Sequence, residues 1–366
     1  MREVSDYYFQ YSSGAEGATN GRIDFICEFS ENPLRKPIQN ANLSFADVQK
    51  SSKVYWKQFW NNGGVIDLSE SKDPRAEDLE RRIVLSQYLT AIQCSGSYPP
   101  QETGLTCNSW YGKFHLEMHF WHAAHFPLWG RKELLEKSLW WYHFILDRAR
   151  ELASSQGYEG ASWPKMVGPD GYDSPSSIGP FLIWQQPHPI IYAELLYSVD
   201  PDDYVLNYFK EIVFATAEFM VSFAEYDPEN DRYILGSPLI PAQECYRPEE
   251  TLNPTFELEY WHTALNIAQE WRERMGLDRE KEWQIVIDKL SDLPVKDNVY
   301  ISHEKCPDTF VDKNIDHPSM IGAYGVLPGY KVDSDVMNNT LEKCLEVWNF
   351  DEVWGWDLPM LAMTAA

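Results

Sequence analysis

The residues best suited to chemistry are concentrated in one short stretch, 110–130, which reads WYGKFHLEMHFWHAAHFPLWG. Large apolar side chains recur in it at three- and four-residue steps, and this spacing predicts a single buried helix. The polar members are His115, Glu117, His119, His122 and His125. Burying such groups is costly unless each is hydrogen-bonded or meets a ligand. Polar groups on a tryptophan-rich surface suit a sugar site, because sugar rings stack on aromatic side chains and their hydroxyls need donors and acceptors.

Two other interpretations of this stretch remain open. It is a core helix if neighbouring backbone groups satisfy its histidines. It is a zinc site if His115, His119 and His122, spaced i, i+4 and i+7, converge on one face. The HExxH arrangement typical of zinc proteases is absent. We therefore predict neither a metal nor a cofactor.

Composition narrows the class of protein. With 366 residues, 44% of them hydrophobic and 14% aromatic, the chain can bury a large core. The net charge is -25 and no run of Lys or Arg is present, which argues against nucleic-acid partners and against an anionic membrane surface. No apolar run approaches the roughly 20 residues that span a bilayer. Six scattered cysteines without a CxxC pair predict free, buried thiols.

Three regions follow one another along the chain. Alternating residues and Gly-rich breaks in residues 1–45 predict strands, at 7–11 and 23–29. Residues 46–72 predict a linker helix that Ser44 caps. Residues 73–366 predict paired helices with long Pro- and Gly-rich loops and no strong strand pattern, which together indicate a mainly α fold, an α/α toroid. The main helices are expected at about 110–129, 131–154, 188–198, 203–226, 254–275, 279–291, 318–326 and 334–348.

The two ends suggest a piece of a longer protein. The chain stops inside a helix that opens near Leu358, so we expect an incomplete toroid of about ten helices. The first residues, MREVSDYYFQ, lack the pattern of an export signal. Since the natural start is expected to lie elsewhere, the compartment stays open. A missing helix pair would expose apolar surface, which a homo-oligomer could cover.

Glu244 is the first candidate for catalysis. It lies in the loop SPLIPAQECY, which Pro238 and Pro241 stiffen. A carboxyl group held on a rigid loop beside buried aromatics can keep its proton and serve as a general acid. The alternative is an ordinary glutamate on a surface loop.

A second group of carboxylates lies in NFDEVWGWD, near the end of the chain. Asp351, Glu352 and Asp357 flank Trp354 and Trp356 there. One of them could be a base that activates water over a stacked sugar ring. They could equally be the acidic residues that favour a helix N-terminus.

Four stretches, taken in order, resemble glycoside hydrolase family 95, one of the (α/α)6-barrel inverting glycosidases. KFHLEMHFW is similar to the family's NxNxQMNYW, SPLIPAQE to SPxxSPE, HPSMIGAYGVLPG to HxSxLxGLxPG, and DEVWGWD to DxxTGWS. The resemblance covers roughly residues 75–366. It implies an (α/α)6 barrel over 73–366, C-terminally incomplete, and makes residues 1–45 the last strands of an N-terminal β-sandwich. The family's two asparagines and its glutamine are replaced by Lys113, His115 and Glu117.

The resemblance also implies roles. Glu244 would protonate the leaving oxygen, and Asp351 would activate the attacking water. The predicted substrate-binding residues are His115, Glu117, Trp121, His122, Trp184, Gln185, His188, His317, Trp354 and Trp356. The predicted function is therefore inverting hydrolysis of a glycoside, with the two carboxyls roughly 6.5–9.5 Å apart. A phosphorylase, which needs a basic anion site, and a non-catalytic carbohydrate-binding homologue are the alternatives.

Overall fold

The computed structural model describes residues 2–5, 8–10 and 44–366, and the chain divides into two compact units, Met1–Gly63 and Gly64–Ala366. In the first unit, β1 (Arg2–Ser5) pairs antiparallel with β2 (Tyr8–Gln10). The predicted strand at 23–29 and Cys27 lie outside the described residues. The sandwich assignment of residues 1–45 therefore stays a prediction.

The helix of the first unit, α1 (Phe45–Asn61), begins at the predicted cap. The Ser44 hydroxyl accepts a hydrogen bond from the Asp47 N–H at 3.2 Å, and the Asp47 carboxylate accepts one from the Ser44 N–H at 3.0 Å. This reciprocal pair satisfies two backbone donors that would otherwise lack partners at the helix start. The predicted Ser44 cap is confirmed.

The second unit is built mainly of helices, as predicted. They are α2 (Ala76–Cys94), α3 (Leu116–Ala123), α4 (His125–Leu128), α5 (Lys132–Phe144), α6 (Leu146–Ser155), α7 (His188–Val199), α8 (Asp203–Phe223), α9 (Thr255–Arg274), α10 (Lys281–Lys289), α11 (Ser334–Val347) and α12 (Asp357–Ala365). In sequence order, α7 packs on α8 and α8 on α9. Among residues 44–366, no helix has both the length and the apolar character that crossing a bilayer requires.

Short antiparallel strand pairs lie between the helices, although the sequence shows no strong strand pattern. They are β3 (Phe114–His115) with β4 (Met166–Val167), β5 (Glu225–Asp227) with β6 (Arg232–Ile234), and β7 (Val295–Lys296) with β8 (Val299–Tyr300). Each strand has only two or three residues. Such strands are too short to show an alternating pattern in the sequence.

The stretch 110–130 is not one helix. A 3-10 turn, Trp110–Gly112, is followed by β3, and the helix begins only at Leu116. The Leu116 N–H donates to the Lys165 carbonyl at 2.8 Å, so a distant strand takes the backbone bonds that an earlier helical turn would use. Elsewhere, Ile145 separates α5 from α6, and the helix predicted at 318–326 is a shorter 3-10 turn, Ser319–Ala323.

Four fully buried tryptophans hold the second unit together: Trp141, Trp163, Trp261 and Trp271. Each indole N–H has an acceptor, namely the Pro169 carbonyl, the Thr216 hydroxyl, the Met220 carbonyl and the Glu194 carboxylate, at 2.7–3.0 Å. A buried indole N–H usually needs such a partner. The bonds of Trp141 and Trp163 tie helices to the 163–169 loop region beside the cleft, and those of Trp261 and Trp271 tie α9 to α8 and α7.

The five described cysteines are free. Cys94, Cys306 and Cys344 are buried, as predicted, whereas Cys107 is exposed and Cys245 is half-buried.

Candidate active site

One cleft in the second unit, of about 250 Å³, gathers most of the residues that the sequence singled out. Its polar lining residues are Glu102, His115, Glu117, Lys165, Ser176, Ser177, Glu244, Asp316 and His317, and its tryptophans are Trp110, Trp184, Trp354 and Trp356. Such a mixture of aromatic surface and converging polar groups is typical of a small-molecule site.

The floor of the cleft is an apolar cluster around Trp184. This side chain packs with Leu182, Ile240 and Phe256, and Trp121 lies against the same cluster. The Trp356 ring stacks on the Trp121 ring, with centroids 4.7 Å apart. The cluster therefore gives the polar groups above it a rigid support.

The pairing of β3 with β4 places Glu117 beside Lys165. Glu117 is the second residue of α3, and Lys165 immediately precedes β4. The Glu244 loop is held from below, since the Ala242 N–H donates to the Glu257 carboxylate at 2.6 Å. The carboxamide of Gln243 donates to the Lys313 carbonyl at 2.6 Å. Both bonds limit the movement of Glu244.

Lys165 bridges two carboxylates at the centre of the cleft. Its ammonium Nζ lies 2.7 Å from Glu244 Oε1 and 3.5 Å from Glu117 Oε1. Glu117 is buried, and its Oε2 has no hydrogen-bond partner among the described residues. Burial raises the pKa of Glu117 to about 8, although the Lys165 charge opposes the shift. At neutral pH the Glu117 carboxyl thus keeps its proton and can donate a hydrogen bond to a ligand hydroxyl.

The Lys165 ammonium stays charged in this setting. Burial lowers its pKa, but the attraction of Glu117 and Glu244 outweighs burial and leaves the pKa of Lys165 raised. The ammonium is therefore a permanent cation in a cleft that otherwise carries carboxyl groups.

A second polar pair is formed by His317 and Asp357. The ring Nδ1–H of His317 donates to the buried Asp357 carboxylate at 2.8 Å, and the Trp354 backbone N–H donates to its other oxygen at 2.8 Å. The His317 ring also stacks on Trp356, with centroids 4.0 Å apart. The hydrogen bond to Asp357 and the stacking on Trp356 fix the orientation of the His317 ring. Its Nε2 lies 3.6 Å from Asp316 Oδ1.

Seven predicted site residues line the cleft: His115, Glu117, Trp184, Glu244, His317, Trp354 and Trp356. His115 is buried, and burial lowers its pKa to about 4, so the imidazole is neutral near pH 7. Its Nδ1 lies 3.1 Å from the Lys113 carbonyl and donates to it, which leaves Nε2 as an acceptor.

Asp351, the predicted base, is not among the cleft-lining residues. It lies in a 3-10 turn, Phe350–Glu352, where its backbone N–H donates to Asn349 Oδ1 and its side chain is exposed. In the same motif it is Asp357 that is buried, where it holds His317. The structure therefore does not bring Asp351 together with Glu244.

Four further predicted residues lie behind the cleft wall. The carboxamide of Gln185 donates to the Leu182 carbonyl at 2.8 Å, and His188 contacts the Tyr260 hydroxyl at 2.7 Å. His122 donates to the Glu102 carbonyl at 2.8 Å, and Trp121 supports Trp356. These four side chains lie behind the lining residues and do not themselves line the cleft.

The histidines of α3 do not share a ligand. His119 is bonded at both ring nitrogens, to the Tyr142 hydroxyl and the Ser138 hydroxyl, each at 3.0 Å. Among the described residues, no group of three or more His, Cys, Asp or Glu side chains has the arrangement of a metal site.

Three charged lining residues were missed by the sequence analysis: Glu102, Lys165 and Asp316. Each is an isolated charge in a loop, without a spacing pattern. Burial raises the pKa of Glu102, with the Glu244 charge adding to it and Lys165 opposing it. Glu102 can be recognised as a site residue only in the folded chain, where it lies near Lys165 and Glu244, which are distant in sequence.

The raised pKa of Glu117 predicts a stability loss at alkaline pH. Folded Glu117 keeps its proton up to about pH 8, whereas the unfolded residue loses it near 4.5, so the folded state holds one extra proton between them. The contribution of Glu117 to stability must then fall as pH rises, by about 2 kcal/mol from pH 6.5 to 8. Glu117→Gln should lack this contribution, so its free energy of unfolding in urea should rise relative to that of the wild type by this amount across the window. The buried histidines, which are partly charged in the unfolded chain near pH 6.5, affect both proteins equally and cancel in this difference.

The matched control is Glu136→Gln, which changes an exposed glutamate on α5. It should keep the wild-type slope. A Glu117→Gln slope equal to that of the wild type would contradict the assignment of the extra proton to Glu117.

A comparison with protein-family models finds no match for this chain. The chain is 24% identical over 272 residues to kojibiose phosphorylase of Thermoanaerobacter brockii, covering 66% of this chain and 34% of that protein. It is also 24% identical over 227 residues to 1,2-alpha-glucosylglycerol phosphorylase of Bacillus selenitireducens, covering 56% and 29%. The chain thus spans about a third of the length of these curated relatives.

Among solved structures, a putative kojibiose phosphorylase from the human microbiome is similar, with a TM-score of 0.63 and 11% identity. The match covers 86% of this chain and 45% of the other. This chain has an (α/α)6-barrel fold of the glycosidase and phosphorylase type. The predicted fold class is confirmed, whereas membership of glycoside hydrolase family 95 is not shown, because the named relatives are phosphorylases.

Proposed function

We propose that the cleft cleaves a glycosidic bond by phosphorolysis, with Glu244 as the general acid. The observation that carries this proposal is the contact between Glu244 and the buried Lys165 ammonium in an aromatic, carboxyl-lined cleft. The two phosphorylases among the relatives support phosphate as the acceptor. Glu244 donates its proton to the leaving oxygen as the bond from that oxygen to the anomeric carbon breaks. A phosphate oxygen forms the new bond to that carbon.

Lys165 couples the binding of phosphate to the uptake of a proton by Glu244. An anion that pairs with the Lys165 ammonium would draw it away from the Glu244 carboxylate, whose Oε1 lies 2.7 Å from Nζ. A carboxylate without a cationic partner takes up a proton more readily, which is the form that a general acid needs. The Ser177 hydroxyl is a further lining group suited to donate a hydrogen bond to a phosphate oxygen.

The position of Asp351 also favours phosphate over water. Hydrolysis by inversion needs a base near the anomeric carbon, and the predicted base is exposed and outside the lining. Phosphate already carries negative charge and needs no such base.

Hydrolysis is the second candidate, and the His317–Asp357 pair favours it. With Nδ1 donating to Asp357, Nε2 of the His317 ring could accept a proton from water. That water would attack the anomeric carbon while Glu244 protonates the leaving group. The carboxyl groups of Glu102, Glu244 and Asp316 around one lysine would, when ionised, also repel phosphate.

Phosphate dependence distinguishes the two reactions. The purified chain is incubated with a panel of glucose disaccharides, with and without inorganic phosphate, and the products are resolved by NMR. Phosphorolysis predicts a sugar phosphate that forms only when phosphate is present. Release of two free sugars without phosphate would establish hydrolysis instead. Sugar binding without turnover in either condition would leave a carbohydrate-binding protein.

A further inference from the structure

The residues that line the cleft range from buried to exposed, and the exposed end is its mouth. The Glu117 side chain is 4% exposed and that of Glu244 is 27% exposed, whereas Trp110 and Trp354, as whole residues, are 55% and 54% exposed. All four line the same cleft. The exposure of Glu244 is thus intermediate between that of the buried carboxyl and those of the two indoles.

This order constrains the orientation of a substrate, given the proposed function. A general acid must contact the oxygen that joins the two halves of the substrate. If Glu244 contacts that oxygen, the ring at the deep end meets Glu117, whose unpartnered Oε2 can bond its hydroxyls. The leaving half then extends toward the mouth, where Trp110 is a lining residue.

We propose that Trp110 is the platform on which the leaving group stacks, and that this leaving group is itself a sugar ring. The inference rests on the proposed cleavage and adds its substrate class. An indole face offers broad apolar contact to the C–H groups of a sugar ring. A small acyclic alcohol or an ion would make no comparable contact with it.

The backbone at Trp110 supports a functional role. Trp110 and Tyr111 have φ values of 47° and 63°, a left-handed conformation that bulky side chains rarely adopt. The turn is closed by the Gly112 N–H, which donates to the Ser109 carbonyl at 3.0 Å. Ser109 is held in turn, because its hydroxyl accepts from the Thr103 hydroxyl at 2.8 Å. Such strain is concentrated at binding sites, where it presents a side chain to a ligand.

Tyr111 provides a matched control from the same turn. It has the same left-handed conformation, an aromatic ring and 90% exposure, but it does not line the cleft. The substitution Tyr111→Ala therefore removes an aromatic ring from the same turn and leaves the Trp110 side chain in place.

The experiment compares two substrates, in the presence of phosphate, in the wild type and in Trp110→Ala, Trp110→Phe and Tyr111→Ala. One substrate is the best disaccharide of the panel, and the other is the corresponding glycosyl fluoride, which has no leaving sugar. Trp110→Ala should raise KM for the disaccharide about tenfold, the loss expected for one aromatic contact. Its kcat/KM for the fluoride should stay at the wild-type value. Trp110→Phe should recover most of the disaccharide affinity, and Tyr111→Ala should match the wild type on both substrates.

The outcomes separate this inference from the proposed function. Equal losses on both substrates, or no loss on the disaccharide, would overturn the platform while the cleavage reaction stands. Wild-type protein that turns over neither substrate would overturn the proposed function, and this inference with it. Circular dichroism of each variant checks that the turn substitutions leave the fold intact.

Discussion

Glu244→Gln is expected to lower kcat on a disaccharide by about 10²–10⁴-fold, the usual contribution of a general acid. Glutamine has nearly the same shape as glutamate and can still accept a hydrogen bond from the Lys165 ammonium, which lies 2.7 Å from Glu244 Oε1 in the wild type. It cannot deliver a proton to the leaving oxygen. Substrate affinity should therefore change little, and steady-state kinetics with calorimetric binding measures both quantities.

Two controls test whether proton donation is the lost function. A glycosyl fluoride has a leaving group that needs little protonation, so Glu244→Gln should retain most of its activity on that substrate. Glu249→Gln changes an exposed glutamate of the same loop region and should behave as wild type. A Glu244→Gln variant with most of its disaccharide activity would remove Glu244 from the acid role.

Lys165→Met is expected to lower the free energy of unfolding by about 3–5 kcal/mol at pH 9, the usual result of removing one partner of a buried ion pair. At that pH Glu117, whose pKa is about 8, is ionised and faces the Lys165 ammonium. Methionine fills a similar volume but leaves the carboxylate without a cation. Near pH 6 the loss should be smaller, because Glu117 is then protonated. Urea unfolding at both pH values measures the difference.

The double variant Lys165→Met/Glu117→Gln should lose the extra destabilisation at pH 9, since no buried carboxylate remains to be neutralised at that position. Lys132→Met is the matched control, because Lys132 pairs with the exposed Asp200 and such surface pairs contribute about 0–1 kcal/mol. Equal losses for Lys165→Met and Lys132→Met at pH 9 would contradict the buried-pair description.

Long periodic segments made much of the fold predictable from sequence. Helices α7, α8 and α9 begin and end within a few residues of the predicted 188–198, 203–226 and 254–275. The stretch 110–130 was mispredicted because Phe114 and His115 pair with residues about 50 positions away. Helical spacing of apolar residues carries no information about such a distant partner.

The site was predictable where motifs carried the chemistry and not where single loop residues did. Glu244 and His317 lie in stretches with recognisable neighbours, and both line the cleft. The choice among the carboxylates of NFDEVWGWD could not be made from sequence, since a 3-10 turn exposes Asp351 while the start of α12 buries Asp357. Lys165 was missed because one lysine in the loop WPKMVG resembles any solvated charge.

The cleft draws its lining from segments spread between Glu102 and Trp356. Contacts between residues so far apart in sequence form late, because a large loop entropy must be overcome before they stabilise the chain. We therefore expect refolding in two stages, in which helical signal returns well before sugar affinity. A ligand that binds only the assembled cleft would then report the slowest stage, and stopped-flow mixing can separate the two.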